Sequence, residues 1–197
     1  MAESRALRAD ARRNRDAILA AAREVFDHDE QIRFDDFAAR AGVGVGTLYR
    51  HFPTREALAA AVYEGEVADL CNRALDKTRS AGENLDSFLR GFVEYVLAHA
   101  SLARTLATVA DPAVLAAGGI ELERTVADLL AQAAVEGTIR GDVAVGAVMI
   151  VLHGIGSTTD RPSWASDARA AVELLLAGLR TRPSQASVAH RRRYDIM

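Results

Sequence analysis

Apolar residues first recur at helical spacing at Ile18, Ala22, Val25 and Phe26. That i, i+4, i+7, i+8 stripe predicts a helix over 14–27 with one buried face. A polar connection, 28–31, follows it. Phe34, Phe37, Ala38 and Ala41 then recur at i, i+3, i+4 and i+7, the face of a second, short helix. Gly42-Val43-Gly44 breaks the pattern, and a glycine directly after the last periodic residue suits the left-handed backbone that ends a helix. Val45 to His51 predicts a third helix with Leu48 and Phe52 facing inward. Pro53 stops it, because the residue before a proline is pushed away from helical geometry. Two short helices joined by a glycine-containing turn of about 3–4 residues form a helix-turn-helix pair. Gly46, Thr47, Tyr49, Arg50 and His51 are left for the outer face of the second member. They offer small residues for close approach, hydrogen-bonding groups and a cation, as a helix lying in a DNA major groove requires.

Beyond Pro53 the pattern stays helical. Thr54 is placed to cap a long amphipathic stretch through Leu58, Ala61, Val62, Gly65 and Leu70 to about 78, with Glu56 favourable in its first turn. Residues 80–83 read as a break, so the next helix is expected to begin at Asn84 or Asp86 and run to about 100. Its broad apolar face comprises Leu85, Phe88, Leu89, Phe92, Tyr95 and Val96. A short helix over 101–110 precedes Asp111-Pro112. Gly118-Gly119 weakens the period, which Ile120, Leu122, Val126, Leu129, Leu130 and Ala133 resume as far as Gly137. Asp142 is the expected cap of a helix over 143–156. That helix is apolar almost all round, and so is buried between other helices or in a subunit interface. Ser163 is the expected cap of a last helix from Trp164 to Arg180, with Ala168, Val172, Leu175, Leu176 and Leu179 on one side. Strand-like alternation is hard to find, so the fold class is all-α.

Composition adds limits. The chain of 197 residues is 50% hydrophobic and 26% charged, an ordinary globular balance. Its single cysteine, Cys71, excludes an intramolecular disulfide and reads as an idle thiol. The N-terminus is charged throughout, unlike a signal peptide, and no apolar run is long enough for a membrane span, so a cytoplasmic protein is expected. The net charge of −3 argues weakly against nucleic acid, but the distribution matters more. Arg5, Arg8, Arg12, Arg13 and Arg15 face only Glu3 and Asp10 at the start, a local basic surface able to meet phosphate. Residues 1–13 are expected to be a flexible basic arm, either simply solvated or touching DNA. Residues 182–197, with Arg191-Arg192-Arg193, are expected to be a disordered tail.

The stretch 33–55 resembles the DNA-binding motif of TetR-type transcriptional regulators. Phe34, Phe37-Ala38, Ala41-Gly42-Val43, Gly46-Thr47-Leu48-Tyr49, His51-Phe52 and Arg55 stand at the spacing of that motif over about twenty positions. Two departures stand out. Gly44 replaces the usual capping serine of the recognition helix, and Val45 replaces a common polar or basic residue. The preceding helix also lacks the usual threonine cap: Arg33 is there, or Asp35 caps late. The resemblance implies an N-terminal three-helix DNA-binding domain over 14–58 and a C-terminal helical effector-binding and dimerisation domain over 59–181. It further implies a homodimer paired through the last two helices. Carried over position by position, Thr47, Tyr49 and His51 meet phosphate with Arg55 in support. Gly46 allows close approach, and Arg33, Gly44 and Val45 complete the DNA-facing set. Arg50 is the candidate for reading guanine, whose two major-groove acceptors suit a guanidinium.

No catalytic constellation or metal spacing is found; none of the histidines pairs as a metal site would, and the glycine-rich 42–47 lacks the Gly-Lys-Ser/Thr end of a phosphate loop. No cofactor is expected beyond an unidentified small-molecule effector. Phe88, Phe92, Tyr95, His99, Thr105, Thr108, Met149 and His153 are its candidate contacts, a mostly apolar set with a few polar groups. The expected function is a ligand-responsive, sequence-specific regulator of transcription. It would be a repressor released by a small molecule from a palindromic operator on double-stranded DNA, with no enzymatic activity and no membrane. A helical enzyme would differ by a catalytic cluster, and an architectural DNA-binder by indifference to small molecules.

Overall fold

A computed structural model of the chain describes residues 2–28, 30–109 and 112–180. Among them lie nine helices: α1 (Ala2–Asp27), α2 (Asp36–Arg40), α3 (Val45–His51), α4 (Arg55–Asn72), α5 (Ala81–Ala98), α6 (Ala100–Ala107), α7 (Pro112–Val135), α8 (Val145–Gly156) and α9 (Trp164–Leu179). The all-α class holds; the only extended pairing among the described residues is an isolated bridge between Ile139 and Arg180.

Two apolar cores organise these helices. The first gathers Ile18, Val25 and Phe26 of α1, Phe37 and Ala38 of α2, Leu48 of α3, and Leu58 and Val62 of α4, with Leu102 of α6 joining from the other side. Full burial of a leucine such as Leu48 contributes about 1.5–3 kcal/mol, so the small domain depends on few residues. The second core lies among α5, α7, α8 and α9, around Leu85, Leu89, Leu122, Val126, Leu129, Leu152 and Leu176. Tyr63 of α4 and Tyr95 of α5 pack against both cores and form the seam.

Several boundaries differ from the sequence expectation, each for a local reason. The arm expected over 1–13 is helical from Ala2 onward. Alanine and arginine favour helix, and neither glycine nor proline occurs before Gly42. The tail 182–197 lies outside the described residues. α4 ends at Asn72, short of the expected 78, and beyond it Asp76 turns the chain, its carboxylate accepting from the Thr78 N–H at 2.9 Å and the Thr78 hydroxyl at 2.6 Å. The break expected at 80–83 is instead a capping box. Ser80 Oγ accepts from Glu83 N–H, and Glu83 in return accepts from Ser80 N–H at 2.8 Å, so α5 starts at Ala81. Gly118-Gly119 does not interrupt α7. A Cβ at Gly118 would lie 2.8 Å from the Tyr63 ring, so this glycine lets α7 close on α4. Asp142 does not cap α8; it forms a fork with Arg140 at 2.5 and 2.6 Å. The Ser163 hydroxyl likewise donates to Asp167 while α9 begins at Trp164 as expected.

α8 resolves the alternatives its composition left open by serving two faces. Val148, Met149, Leu152 and Ile155 enter the core, while Ala147, Ile150 and Gly154 are exposed. Ala170, Leu174, Ala177 and Gly178 of α9 are exposed as well.

Candidate DNA-binding surface and effector cavity

Gly42 sets the angle between α2 and α3. It adopts φ +67°, and around it Val43 N–H reaches Ala38 O at 2.9 Å while Gly42 N–H reaches Ala39 O at 3.1 Å. This paired closure satisfies the last carbonyls of α2 and is open to glycine at little cost. Asp35 does not cap α2 with its side chain; Asp36 does the nearest thing, accepting from Arg33 N–H at 3.1 Å. Gly44 caps α3 with backbone alone, as the missing serine implied.

α3 buries Leu48 and turns Val45, Gly46, Tyr49 and Arg50 outward, with Thr47 and His51 half-buried at its edges. A Cβ on Gly46 would meet nothing within 4 Å, so the protein itself does not require glycine there. Arg50 is exposed and has no partner among the described residues. Tyr49 is committed within the motif: its hydroxyl donates to Asp35 Oδ1 at 2.8 Å and its ring sits edge-on to Phe34 at 5.3 Å. That hydrogen bond, foremost, raises the phenol above its ordinary value. Arg55 is turned inward. It donates to Ile32 O at 2.8 Å and lies over the Phe26 and Phe37 rings at 5.5 and 5.1 Å, so it supports the motif from beneath. Arg15 of α1 lies over Phe52 at 5.5 Å, bringing a cation of the N-terminal cluster to the end of α3.

On the other side of the seam lies a half-open cavity of about 130 Å³. Of the eight candidate effector contacts, Phe92, Tyr95, His99 and His153 line it. Phe88 and Met149 are spent in the core instead. Thr105 and Thr108 bond back to the carbonyls of Ser101 and Thr105 and do not line the cavity. The sequence reading missed Tyr63 on α4, Leu102 and Leu106 on α6, and Gly119 on α7. Their signal was present only as ordinary core periodicity, which cannot tell a cavity wall from a packed core.

The cavity wall reaches the DNA-binding half directly. His99, at the corner between α5 and α6, stacks on Tyr95 at 4.4 Å, and its Nδ1 lies 2.7 Å from the Tyr95 carbonyl. Its Nε2 lies 3.1 Å from Asp27, the last residue of α1. Both partners are acceptors, so the ring bridges the end of α5 to the end of α1. Beside it, Arg23 Nε of α1 lies 2.8 Å from Glu66 of α4, an ion pair whose N–H is not aimed at the oxygen. A Cβ on Gly65 would meet the Arg23 guanidinium at 2.8 Å, so that glycine lets Arg23 cross α4. The Tyr95 hydroxyl is buried with no hydrogen-bond partner, and burial pushes its pKa far up. Burial likewise pushes the Tyr63 phenol up to about 12, so both remain neutral hydroxyls. Cys71 is half-buried and its thiol is pushed up by burial, in keeping with an inert role. No helix among the described residues is long and apolar enough to cross a membrane.

Two family models match the chain: residues 18–62 that of the bacterial regulatory proteins of the tetR family, and residues 80–181 that of the SbtR-like transcriptional regulator C-terminal domain. The HTH-type transcriptional repressor LfrR of Mycolicibacterium smegmatis is 38% identical over 82 residues, which is 42% of this chain and 43% of that repressor. The chain thus aligns with less than half the length of that curated relative. The crystal structure of the TetR transcriptional regulator SCO0520 from Streptomyces coelicolor is 36% identical. It superposes with a TM-score of 0.58 over 86% of this chain and 99% of that one. FadR of Thermus thermophilus, a TetR-family repressor solved with lauroyl-CoA, shares the fold at 21% identity. Its TM-score is 0.62 over 87% of this chain and 97% of that one.

Proposed function

Since the chain belongs to the TetR family of bacterial transcriptional regulators, we propose that it is a repressor released from a palindromic operator by a small molecule. The observation that carries this reading is the contact of His99 with Asp27. One side chain lines the cavity and also holds the end of α1, the helix on which α2 and α3 pack. A molecule entering the cavity displaces or presses His99 and Tyr95, and the change passes to α1 through Asp27. Ligand binding then shifts the population toward a dimer whose recognition helices no longer match the operator.

On the DNA side, residues 14–58 form the binding domain and Arg50 reads a base. Gly46 lets the backbone of α3 approach the groove, and Val45 meets an apolar edge such as a thymine methyl. Thr47 and His51 meet phosphate at the rim, with Arg33 and Gly44 flanking. Tyr49 joins them only by exchanging Asp35 for a phosphate oxygen. The arginines of α1 add sequence-independent attraction. Residues 59–181 bind the effector and dimerise. The exposed apolar faces of α8 and α9 are the interface, and the two-fold axis requires half-sites about one helical turn apart. The repressor named LfrR supports the sign of regulation, while the acyl-CoA held by FadR speaks for that protein alone.

The test is fluorescence anisotropy of a duplex from the DNA upstream of the gene, at two salt concentrations, for the wild type and Arg50→Ala. Tight, sequence-selective binding lost with Arg50 is the expected result. Binding equal to that of random duplex, for every sequence recovered by selection from a random pool, would overturn it.

A further inference from the structure

The chemistry of the cavity wall goes beyond its place in the fold. Phe92, Val96, Leu102, Leu106, Leu115 and Leu152 give it an apolar lining, and among the described residues no lysine, arginine, aspartate or glutamate lines it. Residues 110 and 111, outside the described set, and 112–114 at the start of α7 contain no lysine or arginine either. An anionic ligand would therefore leave water without a lysine or arginine to meet it, and of the two imidazoles on the wall His99 already faces Asp27, so the transfer is costly. Most polar groups of the wall are already engaged: His99 on both nitrogens, and Ser157 by donating to the His153 carbonyl at 2.9 Å. Two are not. The Tyr95 hydroxyl is buried without a partner, and the Tyr63 hydroxyl bonds to no described residue. Both stay protonated because burial raises them, so each holds an unused donor. Size narrows the choice further. About 130 Å³ is close to the roughly 150 Å³ of an apolar cavity known to hold benzene, and the open side leaves room for one substituent.

We propose that this cavity takes a neutral molecule of about one ring, bearing a carbonyl or ether oxygen that accepts from Tyr63 or Tyr95. The proposal rests on the cavity being the effector site. It specifies the ligand as uncharged, hydrogen-bond accepting and mostly apolar, and it excludes carboxylates and phosphate esters as inducers of this protein. The oxygen also gives the state with ligand a property the empty state lacks: a partner for a donor that otherwise stays unmade at the seam.

Three probes of nearly equal shape separate the components: acetophenone, ethylbenzene and benzoate. Isothermal titration calorimetry on the full chain is expected to show acetophenone binding about fivefold tighter than ethylbenzene, the gain of a net hydrogen bond. Benzoate is expected to bind more than about tenfold weaker than acetophenone. The variants Tyr63→Phe and Tyr95→Phe, tested singly and together, are expected to erase the advantage of acetophenone while leaving ethylbenzene unchanged. Two blocked variants control the location. Gly119 lines the cavity, and a Cβ there meets nothing within 4 Å, so Gly119→Phe enters open space on a helix that tolerates it; Ala103→Phe blocks from α6. Both are expected to abolish binding with circular dichroism unchanged. Benzoate or phenyl phosphate binding as tightly as acetophenone would overturn the ligand class and leave the site standing. Acetophenone binding undiminished in both blocked variants would overturn the site itself, and with it the effector reading. No heat and no thermal shift from acetophenone at millimolar concentration would overturn the class as well.

Discussion

Arg50 and Tyr95 show how much a single side chain's partners decide. Arg50 is exposed on α3 with no described partner, so the proposed approach of its guanidinium to DNA would break no internal contact. Arg50→Ala is expected to cost about 1–3 kcal/mol on the operator, the worth of a bidentate base contact, with selectivity at that base pair relaxed. A phosphate contact would instead weaken all duplexes alike and lower the salt dependence by about one unit. Anisotropy against operator and scrambled duplex at several salt concentrations distinguishes the two. Tyr95 is the opposite case, a buried hydroxyl with no partner. Removing a donor that bonds to nothing removes only a desolvation cost. Tyr95→Phe is therefore expected to leave the melting temperature unchanged or raise it. A clear drop in a thermal melt would mean that the hydroxyl is bonded in solution.

At the scale of elements, the start of α5 carries a comparable commitment. Ser80 Oγ holds the Glu83 N–H at 3.2 Å, and Ser80→Ala is expected to destabilise the protein by about 1 kcal/mol in urea titration. Glu83 adds a pH signature. The backbone N–H of Ser80, then its hydroxyl, hold the Glu83 carboxyl below its usual range. A carboxylate lowered in the folded state contributes above its unfolded pKa, near 4.3, and loses that contribution as pH falls through the lowered folded value. In Glu83→Gln the loss of stability below about pH 4 is expected to be shallower, as urea midpoints across pH 3–6 will show. This capping box also marks the limit of what periodicity reveals. The helix-turn-helix was legible because Gly42, Leu48 and Phe52 each answer a local demand, of backbone sign or of burial. The start of α5 was written in Ser80 and Glu83 but masked by Gly82, which breaks the period. The glycine serves packing: its Cβ would strike Thr138 at 2.8 Å. The cavity was half legible. Phe92, Tyr95, His99 and His153 stood out as polar or aromatic groups in apolar helices, whereas Gly119 and Leu102 acquire meaning only when distant helices converge.

For the whole molecule, the decisive surface is the one that a single chain leaves uncovered. Ile150 is 74% exposed on α8 and Leu174 75% exposed on α9. With Ala147, Gly154, Ala170, Ala177 and Gly178 they form two small-residue stripes at helical spacing, through which two helices can approach a second pair closely. The polar residues of α9 point elsewhere: Arg169 forms a fork with Glu94 of α5 at 2.7 and 2.8 Å, Glu173 pairs with Arg90, and Arg180 reaches Asp86 at 3.0 Å. These pairs fix α9 against its own core and leave the apolar stripe uncovered, as the proposed interface requires. A two-fold interface places each substituted residue in both copies, so Leu174→Glu introduces two carboxylates into one apolar contact. The variant is expected to run as a monomer in light scattering while its circular dichroism stays helical, because the site is already solvated in the single chain. Its operator affinity is expected to fall by orders of magnitude, since one domain gains only half the contacts and loses the effective concentration of the second. Loss of dimerisation with full operator affinity would show that the two half-sites are bound independently. A dimer unaffected by Leu174→Glu and Ile150→Glu would place the interface elsewhere on the molecule.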